Sequence, residues 1–164
     1  MRNENLDIVR QYIENIVNTG NADELSAFIS PRYTEVHQNR RYQLGIEGVK
    51  KTIAGIRETY PDLKISIDMQ IAEGEWVVTS YIMKGTQLGS WIGTRPSGKA
   101  VEIQGVSIDR VVNGKIIEHG SSANLLDPLI EINQYPKNWI KESLQKIFVS
   151  RIENSGAVCE PEAA

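Results

Sequence analysis

The stretch LKISIDMQIAEGEWVVTSYIMKGT, residues 63–86, decides the fold class. Leu63, Ile65, Ile67, Met69 and Ile71 alternate with polar residues, which is the period of a strand with one buried face. Glu73-Gly74-Glu75 supplies a turn, and a second strand follows from Trp76 to Thr86. Downstream, the Gly/Pro-rich segment LGSWIGTRPSGK (88–99) leads into a third strand over 101–112. Asn113-Gly114 then reverses the chain into a fourth, over 115–125, because that dipeptide suits the left-handed backbone of a tight hairpin.

Working outward, the residues before this block have helical periodicity. Leu6, Val9, Ile13, Ile16 and Val17 share one helical face, and Gly20 stands where a left-handed C-cap is wanted. A short helix is predicted over 22–29, with Asn21 as its cap and Pro31 ending the run. A strand follows at 33–37, then the polar stretch QNRRYQLG. Ile46, Val49, Ile53 and Ile56 mark a third helix stopped by Tyr60-Pro61-Asp62. Helices first and a meander of long strands afterwards is an α+β plan, a cone-shaped, curved antiparallel sheet wrapped around N-terminal helices. Beyond Pro136, NWIKESLQKIFVSRI (138–152) places Ile140, Leu144, Ile147 and Phe148 on one face. The expected organisation is a cone domain over 1–133, an extra C-terminal amphipathic helix over 134–152 and a disordered tail over 153–164.

Composition narrows the function. The 164 residues are 40% hydrophobic and 24% charged, as in an ordinary globular domain. Eighteen basic against twenty-one acidic side chains leave a net charge of −3, which argues against a nucleic-acid partner. No apolar run approaches the roughly 20 residues of a membrane-spanning helix, and the N-terminus lacks the apolar core of a secretion signal. One cysteine, Cys159, rules out an internal disulfide and a multi-cysteine zinc site, and two histidines are too few for most histidine-rich metal centres. The expected protein is cytoplasmic, and its partners are a small molecule and a second copy of itself. The segment GTQLGSWIG lacks the lysine and the strand–helix setting of a phosphate loop.

Several features coincide on these elements. Pro61-Asp62-Leu63 opens the sheet. Gly85-Thr86 leads into Gly89, Gly93, Pro96 and Gly98. Arg110 precedes Asn113-Gly114-Lys115-Ile116, and Glu118 follows. In this the chain resembles the SnoaL-like polyketide (ester) cyclase family over about residues 5–130. That family has the fold also seen in ketosteroid isomerase, scytalone dehydratase and nuclear transport factor 2. The resemblance implies a pocket between sheet and helices for a flat, largely apolar polycyclic substrate, and an intramolecular aldol closure with no metal or cofactor. The acid/base residue implied near the end of the last strand falls, counted from Glu118, on Asn124. The family's usual tryptophan is here Gly120, and its common histidine after Gly-Thr is Gln87.

A neutral carboxamide cannot carry the proton that a carboxylate would, so Asn124 is expected to orient a carbonyl or stabilise an enolate. Arg110 is expected to face the cavity, and the intervening hairpin decides whether it does. A two-residue turn pairs Val112 with Lys115 and sets Arg110 opposite Ile117. A longer turn with a bulge at Gly114 pairs Arg110 with Ile116, on the side of Glu118 and Asn124, and is favoured because the two pocket positions then converge. Glu118 is the carboxylate nearest Arg110 by this register. His119, of opposite parity, is expected on the outer face. His37, at the end of the 33–37 strand, is then the neutral-pH proton carrier nearest the cavity. Gln87, Trp91 and Tyr81 are expected to line entrance and walls. Two functions stand: a cofactor-free cyclase, isomerase or dehydratase, or a non-catalytic small-molecule carrier on the same fold.

Overall fold

Asn3 opens the first helix, its side-chain oxygen accepting the Asn5 N–H at 3.0 Å. In this computed structural model, which describes residues 3–37, 40–91, 93–125, 128 and 132, α1 (Glu4–Tyr12) continues into a π-helical turn (Ile13–Val17). The Asn18 N–H closes that wider turn on the Ile13 carbonyl at 2.9 Å, re-aiming the end of the helix where Ile13 and Val17 line the interior. Gly20 leaves the helix at φ +73°, as its position in the sequence implies. The second helix, α2, is one turn (Leu25–Phe28), because β1 (Ile29–His37) begins where the sequence predicts the helix to end. Pro31 therefore sits inside β1. It lies in the irregular gap between Ile29 and Thr34, where its missing N–H breaks no ladder bond.

The polar stretch after β1 contains a strand the alternation rule misses, β2 (Arg40–Gln43), all four of whose residues are exposed. Next come α3 (Gly45–Thr59), β3 (Lys64–Glu73), β4 (Trp76–Thr86), β5 (Ala100–Val112) and β6 (Lys115–Ala123). They form one curved, unclosed sheet in the order β2-β1-β6-β5-β4-β3. Its ladders are antiparallel except β1 on β6, which run parallel, so the sheet is mixed where uniform antiparallel pairing was expected. The helices cover the inner face around Val9, Ile16, Leu25, Ile29, Val77 and Ile116, each no more than 1% exposed. At the free β3 edge the Asn18 carboxamide accepts the Ile65 N–H at 2.6 Å and donates to the Ile65 carbonyl at 2.9 Å, standing in for a neighbouring strand.

Two one-residue slips decide which side chains face the helices. In β3 the pairing jumps from Ile67↔Tyr81 to Met69↔Ser80, so Ile65 and Ile67 point inward while Met69 and Ile71 turn out. In β6 the turn itself is tight, with Asn113 at φ +50°, Gly114 at φ +72° and Val112 paired to Lys115. The slip comes one step later, between Val111↔Ile116 and Arg110↔Glu118. The bulge is at Ile117 and not at Gly114, and it turns His119 inward. The expected C-terminal helix (134–152) and tail (153–164) lie outside the described residues.

Candidate active site

Between the helices and the inner sheet face lies a cavity of about 240 Å³. Its greater part is apolar, walled by Ile13 and Val17, by Val49, Ile53 and Ile56 of α3, and by Leu63, Ile65 and Met83. Its polar end is built from the inward positions of β1, β5 and β6 together with Tyr12 of α1: Tyr33, Glu35, Ser107, His119 and Ser121. Tyr81 of β4 lies over Gly105 of β5, where any Cβ would come within 2.5 Å of its ring, so the glycine makes room for the phenol.

His119 is the centre of this polar end. Its Nδ1 lies 2.7 Å from Asp109 Oδ1, and Asp109, 2% exposed, accepts a second bond from the Ser107 hydroxyl at 3.1 Å. A carboxylate only accepts, so His119 donates through Nδ1 and presents Nε2 to the cavity. Burial works to lower the imidazole pKa, but the Asp109 charge and hydrogen bond, with the Glu35 charge behind them, outweigh it, and His119 holds its proton above the ordinary range. Glu35 Oε1 stands 3.9 Å from His119 Nε2, and Glu35 Oε2 accepts the Tyr33 hydroxyl at 2.6 Å. The Tyr12 and Tyr33 phenols are pushed well up, first by burial and then by nearby carboxylates, so both remain donors at neutral pH. Among the described residues no group of histidine, cysteine and carboxylate side chains is arranged to hold a metal ion.

The residues expected from sequence are placed differently. Arg110 is on the outer sheet face, not in the cavity: its guanidinium lies 5.7 Å from the Trp76 ring centre and pairs with Glu75 at 2.8 Å. Its register partner is Glu118, not Ile116 as expected; Glu118 is on that same outer face and pairs with Arg41 at 3.4 Å. Asn124 follows β6, its backbone N–H bonded to the Gln104 carbonyl at 2.8 Å, with the outward parity of Ser122 and Gly120. It does not line the cavity. The bulge at Ile117 is the reason: it sends odd-numbered residues in and even-numbered ones out. His119, expected outside, is therefore the inward histidine, while His37 is exposed at the end of β1 opposite Arg40.

Gln87 is fully buried but serves the rim loop over 87–99 instead of the cavity. Its amide donates to the carbonyls of Gly89 and Arg95 and to the Thr94 hydroxyl, while its oxygen accepts from Ser97 at 2.6 Å. Trp91 packs edge-on against Tyr60 at 5.9 Å, anchoring the loop. Tyr81 does line the cavity. The opening motif has a structural role: Asp62 accepts the Thr86 N–H and hydroxyl, both at 2.7 Å, tying β3 to β4, and those bonds hold its carboxyl below the usual range. Tyr33, Glu35, Asp109 and Ser107 were not singled out in the sequence. Polar residues two apart on predicted strands (Tyr33/Glu35 and Ser107/Asp109) were the available signal.

Comparison with known proteins agrees with this architecture. The family model for SnoaL-like polyketide cyclases matches residues 7–132. The nogalonic acid methyl ester cyclase of Streptomyces nogalater is 25% identical over 104 residues, covering 62% of this chain and 78% of that protein. An aklanonic acid methyl ester cyclase of Streptomyces peucetius is 22% identical over 141 residues, covering 82% and 96%. A structure described as a SnoaL-like polyketide cyclase from Jannaschia sp. CCS1 superposes with a TM-score of 0.72 at 26% identity, covering 81% of this chain and 94% of that one. AclR of Streptomyces galilaeus, described as a hydroxylase, has the same fold at a TM-score of 0.74 and 18% identity, covering 95% and 98%, so the shape alone names no reaction. With most of its length matched by the family model, and the curved sheet in place, the chain belongs to the SnoaL-like polyketide cyclase family.

Proposed function

We propose that the protein is a cyclase that closes a ring in a small, largely apolar carbonyl or polyketide-like compound, with His119 as the proton-donating group. The observation that carries this reading is the paired imidazole: Nδ1 fixed by the buried Asp109 and Nε2 turned into the polar end of a cavity whose greater part is apolar. An intramolecular aldol closure turns an acceptor carbonyl into an alkoxide, and a protonated imidazole beside that oxygen stabilises the charge and then supplies the proton. Tyr12 and Ser121 border the same space and can orient the substrate carbonyls. Side chains supply every proton this reaction moves, and we read it as cofactor-free. The cavity is smaller than the ~300–1,000 Å³ of sites for drug-sized ligands, which favours a compact substrate.

The test is turnover of nogalonic acid methyl ester and of smaller polyketide-like β-keto esters by the wild type and by His119→Gln. Ring closure by the wild type, with a loss of at least ~100-fold in the variant, supports the reading. Ligand binding without turnover identifies a carrier instead.

A homodimer and a cytoplasmic location belong to the same proposal. The outer sheet face exposes Met69, Ile71, Trp76, Val106 and Ile108, neighbours through the rows Ile71↔Val78↔Ile108 and Met69↔Ser80↔Val106. Ion pairs of both signs, Arg110–Glu75 and Arg41–Glu118, lie beside them. An apolar strip with mixed charge at its rim can meet a copy of itself about a two-fold axis. Sedimentation velocity reads the oligomer directly. Among the described residues no helix is long and apolar enough to cross a membrane.

A further inference from the structure

We propose that Glu35 is the general base of the ring closure and that Tyr33 is its positioning residue, so that the cavity holds a base and an acid on adjacent parallel strands. This rests on the reading of His119 above.

Glu35 and His119 are direct register partners in the β1–β6 ladder, the only parallel one among the described residues, and both line the cavity. The two oxygens of Glu35 are differentiated. Oε2 is committed to the buried Tyr33 hydroxyl at 2.6 Å, which fixes the side-chain rotamer, while Oε1 faces His119 Nε2 at 3.9 Å. That gap is too wide for a hydrogen bond, yet one oxygen atom can sit about 2.8 Å from both groups. His119 is thus flanked by two carboxylates with different tasks: Asp109 holds its far nitrogen, and Glu35 stands beside the nitrogen that meets substrate.

The step balances without any further reactant. Glu35 Oε1 takes a proton from the carbon between two carbonyls, and the electron pair of that C–H bond forms the new C–C bond to the acceptor carbonyl carbon. The π pair of that carbonyl moves onto its oxygen, which takes the proton from His119 Nε2. The substrate is isomerised, leaving Glu35 protonated and His119 neutral. Passage of one proton from Oε1 to Nε2 through a water in the vacated gap restores both. The substrate class follows: a carbon acid activated by two carbonyls, since a carboxylate removes such a proton far more readily than that of a simple ketone.

The titratable groups near Glu35 are Tyr33 on its own strand, its register partner Tyr42 on β2, Tyr12 from α1 and His119 from β6, while the α3 side chains that line the cavity are uncharged. Glu35 also helps hold the His119 proton in place, so the pair is read without any substrate.

The experiment compares Glu35→Gln, Glu35→Asp and Tyr33→Phe with wild type in two measurements. In the first, the His119 imidazole is titrated by NMR on the ligand-free protein; Glu35→Gln lowers its midpoint, and an unmoved midpoint overturns the pairing. In the second, the substrate is whichever of the β-keto esters above the wild type closes. Glu35→Gln loses at least ~100-fold in kcat with little change in KM, and the acidic limb of its pH–rate profile disappears while the alkaline limb stays. Tyr33→Phe lowers kcat with KM largely kept, because Glu35 has lost the donor that fixes its rotamer, and Glu35→Asp retains part of the rate. If His119→Gln abolishes turnover but Glu35→Gln does not, the base assignment is overturned and the acid stands. If His119→Gln keeps wild-type turnover, the reading beneath both fails.

Discussion

His119 Nδ1 and Asp109 Oδ1 lie 2.7 Å apart across one register pair of the β5–β6 ladder, and the second Asp109 oxygen is held by Ser107. This contact fixes which ring nitrogen donates and which faces the cavity. Asp109→Asn removes the charge while keeping the shape, so kcat should fall by about 100-fold or more with substrate affinity largely kept. Steady-state kinetics with the substrate above is the check, and an unchanged kcat would detach Asp109 from the chemistry.

The same contact predicts a pH dependence of stability. His119 has a folded-state pKa above the 6.5 of a free imidazole, so the protonated form is favoured by folding. Its stabilisation is complete below that unfolded value and is lost as pH rises through the higher folded one. Urea midpoints measured from pH 5.5 to 9 should therefore show wild type losing its advantage over His119→Gln as the solution becomes alkaline. A gap that widens with pH would contradict the pairing.

Asn124 lies outside the cavity, so converting it to the acid that the family resemblance implies there should not raise activity. Asn124→Asp is expected to leave turnover within ~2-fold of wild type, the effect of an ordinary surface change. A large gain would return Asn124 to the site.

Gln87 is fully buried and bonded to four partners in the rim loop. Gln87→Ala strands several of them, at a cost of about 1–3 kcal/mol in denaturant unfolding. Limited proteolysis should then cut within 87–99. Full stability in this variant would mean the loop is held by its backbone bonds and the Trp91–Tyr60 contact alone.

Ile108 sits mid-strip on the outer face, 48% exposed. Ile108→Lys should reduce a dimer to monomers in sedimentation velocity while leaving the fold intact, because the side chain is exposed in the chain and a charge there disfavours burial against a second copy. Coincident sedimentation of the two proteins would place the contact elsewhere.

Much of the fold was legible in local sequence. The strand from Leu63 onward, the chain reversal at Asn113-Gly114, the C-cap at Gly20 and the stop at Tyr60 are each set by neighbours within a few residues, where propensity and backbone sterics act. Arg40–Gln43 escaped notice because an edge strand with every side chain in solvent leaves no apolar period to read. The site was lost for a different reason. Parity along β6 depends on a bulge at Ile117, and one extra residue reverses every side chain after it. That reversal exchanged His119 for Asn124 as the inward group and sent Glu118 to the far face, where Arg110 already stands by its register with Trp76 of β4.

By itself, then, the sequence determined every one of these elements but β2, since periodicity and turn chemistry are written locally, and its motifs carried the resemblance to the family. Only the tertiary structure decided what looks into the cavity. A strand's facing is settled by register against its neighbour: the bulged β5–β6 hairpin sets His119 against Asp109, and the parallel β1–β6 ladder brings Glu35, distant in sequence, beside them.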